Sequence, residues 1–434
     1  MELTNKALKI LLCVLICSLF SCKNDNKSVV PSNAKITDMW GSLIIPLLSE
    51  SIWLERDKYD TSSVLMLPMN WAFKVKDTSK INDFSVFFAQ VNTYYHETLA
   101  ENRLNNAQFQ YFISQYLILK HKYSRLDEVE LELLNKVQNW AADFWNEPAW
   151  LWGREPFDSM YERMSWKLLE LNPQRSYYRA IFDEELFLLA TVANLQAIDP
   201  SNLTVEQENA FGQIKDVSWL MLHQEIKFSL EENNANYFNF QQGAWAEHPD
   251  YAYVGQKEVI EGMIKMPIEG IATDSSHMHR WPVWLKSFKR MFSKDENKLQ
   301  LIKKLEIALA QQFNEFVYVK SDNFFPAPRM NNFFDGRNGV YRYLYATQGS
   351  SGYAPYQLSG TLAVGWYGML LGADDFKEDI VKMLDSGELP HYVIETYVGP
   401  NTTRERHPLF TWPEYFSNGM TELNYRITKE LLND

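Results

Sequence analysis

The spacing of apolar residues restricts the fold of this chain more than any other feature of its sequence. In several segments these residues recur every three to four positions, whereas a sustained alternation of apolar and polar residues is almost absent. The first pattern indicates a helix with one buried face, and the second would indicate a half-buried strand. The helical segments comprise residues 126–144, 184–197, 217–230, 299–313 and 376–384. We therefore predict an all-α fold.

Signals for helix ends accompany these segments. Ser124 with Asp127, and Ser293 with Glu296, have the spacing of a capping box, which satisfies free backbone N–H groups at a helix start. Gly387 follows the last helical segment, and a glycine there commonly ends a helix.

Long segments rich in Trp, Pro, Gly, Asn and Tyr separate the helical segments. Loops of this length are usually functional or disordered, and their aromatic content argues against disorder. We expect the loops to gather at one end of paired helices, as in an α/α toroid, an incomplete helical barrel around a cleft. The predicted loops comprise residues 67–73, 146–157, 233–255, 273–284, 321–360 and 399–420.

The N-terminus has the features of an export signal. Lys6 and Lys9 precede a short apolar run, which is too short to cross a bilayer. The run ends in residues 19–22 (LFSC), which resemble a bacterial lipobox, so we predict a signal peptide over residues 1–21 and lipidation of Cys22. An ordinary cleaved signal with an incidental cysteine is the alternative.

The polar stretch 22–33 is predicted to be a tether, and residues 34–434 a single domain. All three cysteines, Cys13, Cys17 and Cys22, precede this domain, which therefore has no disulfide and no thiolate metal site. We therefore expect an exported protein that a lipid on Cys22 holds to a bacterial membrane. The expected membrane is the outer membrane.

Net charge and composition limit the classes of ligand that the chain could bind. A net charge of −13 argues against nucleic acid, whose recognition needs a basic surface. Aromatic residues make up 15% of the chain, and rings with polar edges stack on sugars, which favours a glycan ligand.

Glu247 and His248 lie in a loop with tyrosines and glycines, a combination suited to proton transfer. A capped turn at the His-Pro pair is the alternative. An apolar run after Gly255, at residues 259–264, is predicted to be helical.

The same loop resembles the catalytic stretch of toroid polysaccharide lyases, the hyaluronate and chondroitin lyase family. Tyr253 and Gly255 follow His248 at that family's offsets, but Lys257 stands where its catalytic tyrosine would be. Residues 338–345 (NGVYRYLY) and 358–361 (LSGT) resemble two later stretches, with Ser359 in place of a proline.

The resemblance implies β-elimination at a uronic acid, without a cofactor. His248 would act as base or positioning group, Tyr253 as base or acid, or Tyr251 in its place, with Glu247 beside them. Asn338 or Asn332, with Arg280, would hold the substrate carboxylate, although Arg280 could instead stack on Trp281. The expected sugar-binding residues are Trp245, Tyr251, Lys257, Trp281, Arg337, Tyr341 and Arg342.

Three other functions stay open. Asp274, His277 and His279 could hold a metal ion, although we expect none. A glycoside hydrolase would use two carboxylates, for which Glu247, Asp250 and Asp335 are candidates. The aromatic loops could also bind a glycan without reaction.

Overall fold

The computed structural model describes residues 32–50, 53, 55–99, 102–151, 155–168, 177–198, 203–229, 237–344, 352–400 and 407–432. The predicted signal peptide, Cys22 and the tether up to residue 31 lie outside the described residues. The chain divides into two compact units, residues 1–38 and 39–434, and the contacts below belong to the second.

The described residues are mostly helical, which confirms the predicted all-α class. The longer helices are α1 (Ser32–Leu48), α2 (Glu55–Lys74), α3 (Thr78–Thr93), α4 (Arg103–Tyr123), α5 (Glu128–Asn146), α6 (Met160–Leu168), α7 (Asp183–Leu195), α8 (Val205–Gln224), α9 (Trp281–Met291), α10 (Glu296–Gln312), α11 (Asp374–Ser386), α12 (His391–Val398) and α13 (Met420–Leu431). No helix in this described part combines the length and apolar character needed to span a bilayer.

Short elements fill the connections. The single-turn helices are Tyr95–Thr98, Ser275–Met278 and Thr361–Val364, and tighter or wider turns occur at Tyr177–Arg179, Pro249–Tyr251, Phe313–Val317, Trp366–Met369 and Glu414–Phe416. Strands β1 (Ile226–Ser229) and β2 (Tyr237–Phe240) pair antiparallel, as do β3 (Tyr318–Val319) and β4 (Arg329–Met330). The strands are too short to form a layer of their own.

Several predicted segments differ from the structure. Most of residues 273–284, predicted to be a loop, are helical, in Ser275–Met278 and in the first turn of α9. Residues 67–73, predicted to be a loop, lie inside α2, which continues through Pro68. The helix predicted over 217–230 ends at Gln224, and β1 follows. Residues 259–264 are not helical, because Gly255 donates a backbone hydrogen bond to Met266 and closes this segment into a loop.

Two predicted caps are displaced. Asp127, not Ser124, caps α5, and its capping box is completed by Glu130. Asp295, not Ser293, caps α10 by accepting the backbone N–H of Lys298. In both cases an ionised side chain nearer the helix accepts the free N–H groups. Gly387 does end α11, with the positive φ of 92° that a glycine readily adopts.

The helices pack in two layers. Along the first, α2 contacts α4, α4 contacts α7, and α7 contacts α9. The turn Trp366–Met369 contacts both α9 and α2, which closes this series, and α13 packs on α2. In the second layer α3, α5, α8 and α10 cover α2, α4, α7 and α9 in turn.

The helices of the first layer point the same way. Leu104 of α4, Asp183 of α7 and Trp281 of α9, all in first turns, line one cleft. Tyr59, near the start of α2, lines an adjoining cavity. The partly positive N-termini of four helices therefore meet at this end, and a partly negative C-terminus lies at the far end of each.

A buried ion network attaches the start of α7 to α6. Glu185 is fully buried, and its two carboxylate oxygens accept from Arg163 Nε at 2.8 Å and Lys167 Nζ at 2.9 Å. Burial lowers the pKa of Lys167 to about 7, although Glu185 opposes this shift. A second Arg163 nitrogen pairs with Glu184, which lines the cleft, so the network positions the cleft wall.

We expect Glu185→Gln to lower the free energy of unfolding by about 3 kcal/mol or more, because it leaves two buried cations without their shared counter-ion. Denaturant unfolding measures this. Glu378→Gln is the matched control, since its pair with Lys382 is exposed, and it should change stability by less than about 0.5 kcal/mol. Equal effects of the two substitutions would contradict the assigned role of Glu185.

Candidate active site

A cleft of about 490 Å³ opens where the helix N-termini meet. Its walls combine aromatic rings with acidic and imidazole side chains, a composition suited to a sugar ligand. The aromatic lining residues are Trp150, Phe182, Phe240, Trp245, Tyr251, Trp281, Trp284 and Tyr341. The charged or titratable lining residues are Asp183, Glu184, His248, Asp250, Asp274, His277 and Arg342.

A carboxylate–imidazole pair lies in this cleft. Asp274 caps the helix Ser275–Met278 and accepts the backbone N–H of His277. Its two oxygens also lie 2.8 and 2.7 Å from His277 Nδ1. With Nδ1 protonated toward the carboxylate, Nε2 of neutral His277 is left as a proton acceptor.

Asp274 is held as a carboxylate. Burial would raise its pKa, but His277, Arg342 and a hydrogen bond from Ser276 outweigh burial and hold the pKa well below its ordinary value. Tyr251 also donates its phenol O–H to Asp274 at 3.0 Å. The carboxylate therefore fixes the orientation of the His277 ring.

His277 Nε2 faces a second carboxylate, Asp183 Oδ2, at 3.9 Å. Asp183 also accepts a hydrogen bond from Arg280, whose other nitrogen donates to the phenol of Tyr59. Arg280 is buried, and its guanidinium lies over the rings of Tyr59 and Phe187 rather than Trp281. Arg280 thus stabilises Asp183 from behind the cleft.

Asp250 contacts both His248, the second imidazole of the cleft, and Arg342. Arg342 Nε donates to Asp250 Oδ2 at 2.9 Å, and Arg342 is half-buried at the edge of the cleft. His248 Nδ1 accepts the backbone N–H of Asp250 at 3.2 Å, which places the proton of neutral His248 on Nε2. Burial lowers the pKa of His248, the Asp250 carboxylate opposes the shift, and Arg342 adds to it.

A smaller cavity of about 200 Å³ adjoins the cleft. His277, Tyr341 and Arg342 line both spaces. Arg56, Tyr59 and Trp412 are among the other residues around the smaller cavity. These three residues therefore belong to a wall that the cleft and the smaller cavity have in common, and the two spaces together are called the groove below.

The structure brings together half of the residues that the sequence predicted as catalytic or sugar-binding. Six of them line the main cleft, and Arg280 lines the smaller cavity. The six are Trp245, His248, Tyr251, Trp281, Tyr341 and Arg342.

Two other predicted residues lie elsewhere in the loop. Tyr253 packs in a small apolar cluster with Met263 and Val340, and its ring meets Tyr343. Glu247 is exposed and does not line the cleft.

The remaining predicted residues support loops. Asn338 accepts backbone N–H groups from Asn332 and Tyr356, and its carbonyl accepts from the exposed Lys257 at 3.4 Å. Asn332 is fully buried, and in the described chain its side chain bonds only to backbone groups. Arg337 is exposed and pairs with Asp335, and neither lines the cleft.

Three residues considered for a metal site have other partners. His277 uses Nδ1 for Asp274, whereas His279 is buried and its Nδ1 contacts the carbonyl of Ser276. Within the described residues, no three His, Cys, Asp or Glu side chains are arranged to hold a metal ion.

Sequence reasoning missed Asp183, Glu184, Trp150 and Trp284 as cleft residues. Asp183 and Glu184 carry no local signal, since only packing brings the start of α7 to the cleft. The pairing of Asp274 with His277 was detectable, because an aspartate at a helix cap is close to the side chain three residues later.

A scan against protein-family models, a search of curated proteins and a search of solved structures each returned no match. The function is therefore argued from the geometry of the cleft.

We expect the pKa of His248 to lie below about 6.5, the ordinary value for histidine, so that the ring stays neutral at neutral pH. Arg342→Gln should raise this pKa by removing a nearby positive charge, and Asp250→Asn should lower it further. NMR titration of labelled histidines measures both shifts. Arg337→Gln, a substitution outside the cleft, is the control, and shifts of the same sign in the Arg342 and Asp250 variants would contradict the arrangement.

Proposed function

We propose that this chain is an enzyme that cleaves a polysaccharide containing uronic acid by β-elimination. The two-layer packing of its helices supports the finer proposal of an incomplete α/α toroid around the cleft. The export signal and the lipid on Cys22 stay predictions from the sequence, and they would bring the enzyme to an extracytoplasmic glycan.

One observation carries the proposal: a base, a phenol and a guanidinium each line both the main cleft and the smaller cavity. These groups belong to His277, Tyr341 and Arg342. A glycan lying along the groove would place a glycosidic bond beside them, with aromatic walls on both sides. Elimination requires this set of groups at one bond.

The reaction assigns a role to each group. Neutral His277 takes the proton from C5, alpha to the uronate carboxylate, and Asp274 stabilises the resulting imidazolium. The electron pair left on C5 forms the C4–C5 double bond as the C4–O bond breaks. Burial raises the pKa of Tyr341 well above its ordinary value, so its phenol stays protonated and can donate to the leaving oxygen.

Charge stabilisation comes from two sources. Arg342 at the edge of the cleft neutralises the uronate carboxylate, which favours removal of the C5 proton. The N-termini of the first-layer helices add partial positive charge at the same end. These groups offset the acidic residues of the cleft wall and the negative charge of the whole chain.

Hydrolysis is the second candidate, and a specific observation favours it. Asp183, Glu184 and Asp250 line the same cleft, and glycoside hydrolases work with two carboxylates on either side of the bond. Asp183 beside His277 and Asp250 beside Arg342 would be the pair.

The reaction products distinguish elimination from hydrolysis. We expect the chain, incubated with a panel of uronic-acid polysaccharides, to release fragments with new ultraviolet absorbance, because elimination creates a double bond conjugated to the carboxylate. New reducing ends without that absorbance would replace the proposal by hydrolysis. Binding of an oligosaccharide without any product would instead indicate a glycan-binding protein without enzymatic activity.

Substitutions identify the base. We expect His277→Ala and Asp274→Asn each to lower kcat/KM by about 10²- to 10⁴-fold, since the first removes the base and the second its orienting carboxylate. The double variant should lose little more than either alone, because the two groups act as a unit. Tyr253→Phe is the control and should keep full turnover, since Tyr253 does not line the cleft. Loss of turnover in Tyr253→Phe, with His277→Ala active, would contradict the assignment.

A further inference from the structure

A second cavity, of about 340 Å³, lies at the opposite ends of the first-layer helices. Lys74 ends α2, Tyr123 ends α4, and Leu431 ends α13, and all three line it. Arg290, in the last turn of α9, completes this end. The cavity shares no lining residue with the cleft, so nothing in the proposed reaction uses it.

The cavity is strongly basic in a chain whose net charge is −13. No acidic side chain belongs to its lining. The cationic lining residues are Lys74, Lys76, Lys122, Lys286 and Arg290.

Helix C-termini account for only part of this charge. Lys74 Nζ donates to the carbonyl oxygens of Glu430 at 2.7 Å and Leu431 at 3.3 Å, so it stabilises the end of α13. Lys286 differs, because it lies in the middle of α9 rather than in its last turn. A position in the middle of a helix gains little from the helix dipole.

Three of these cations, Lys122, Lys286 and Arg290, form no salt bridge among the described residues. Arg290 donates to the neutral side chain of Asn194 at 2.7 Å. Within the described residues, Lys122 and Lys286 make no ion pair, and Glu306, the acid that acts on Lys286, is bonded to Lys289 at 2.5 Å.

This arrangement is unfavourable without a ligand. Burial lowers the pKa of Lys286 to about 8, and Arg290, Lys289 and Lys74 add repulsion that Glu306 only partly opposes. Partial desolvation, although the residue is largely exposed, and the positive charge of Arg290 also lower the pKa of Lys122. An anion in the cavity would offset this repulsion and accept charge-assisted hydrogen bonds from these groups.

We propose that this cavity binds a small oxyanion, a phosphate or sulfate monoester. The cationic groups would hold the charged end of such an ester. Phe73, Tyr123, Leu119 and Leu371 provide an apolar and aromatic wall for its organic part. The volume suits a molecule as large as a phosphorylated or sulfated monosaccharide.

Calorimetric titration of the whole chain with glucose 6-phosphate, glucose 6-sulfate, inorganic phosphate and inorganic sulfate tests the proposal. We expect saturable binding of at least one monoester, with glucose and sodium chloride as blanks. Lys286→Met should weaken that binding by about tenfold or more, because it removes a charged hydrogen-bond donor. Stronger binding by phosphate or by sulfate identifies which of the two esters the site prefers.

Two matched variants make the test specific. Lys382→Met removes the same charge from an exposed position of α11 that does not line the cavity, so affinity should change by less than about twofold. Lys122→Met is the second cavity variant, and because Lys122 is exposed it should fold normally and still weaken binding. Thermal unfolding without ligand confirms that each variant is folded.

Three results would overturn the proposal. The first is no binding of any of the four anions. The second is equal weakening by Lys382→Met and the two cavity variants, which would indicate only a general charge effect. The third is binding to vesicles containing anionic phospholipid with none to the four soluble anions, which would indicate a membrane contact instead.

Discussion

The cleft depends on the buried carboxylate of Asp274. This group accepts hydrogen bonds from Tyr251, Ser276 and His277, and the backbone of Asp274 pairs with Phe333. A buried carboxylate is costly unless several donors surround it, so the loops that supply these donors are held in one arrangement. The hydrogen bonds that stabilise this carboxylate also orient His277. Asp274 therefore both holds the loops in place and positions the proposed base.

The common direction of the first-layer helices gives the unit two different ends. Helix N-termini meet at the cleft, where Asp183 and the capping carboxylate of Asp274 occupy the first turns of helices. Helix C-termini meet at the basic cavity, where Lys74 contacts free carbonyl groups. Each end favours side chains of opposite charge to its dipoles. The other cations, Lys286 above all, are not needed to stabilise helix C-termini. We attribute them to the proposed binding of an anion.

Local patterns predicted the fold class and part of the site. The apolar stripes predicted α5, α7, α10 and α11, because a buried helix face repeats within a short segment. His248, Trp245 and Tyr251 were predicted as site residues because they share one loop, and they do line the cleft. Tyr253 lies in the same loop, but the turn Pro249–Tyr251 intervenes and its ring packs on Val340 instead. Short-range spacing does not indicate the direction of a side chain beyond a turn.

The sequence by itself determined that the chain is helical, that its cysteines precede the folded unit, and that aromatic loops with imidazole and carboxylate groups separate its helices. Only the tertiary structure decided which of these groups meet. Asp183 and Arg280 are 97 residues apart in the chain, and the packing of α7 on α9 brings them into contact beside His277. The physical reason is that periodicity and capping act over a few residues, whereas burial selects partners across the whole chain.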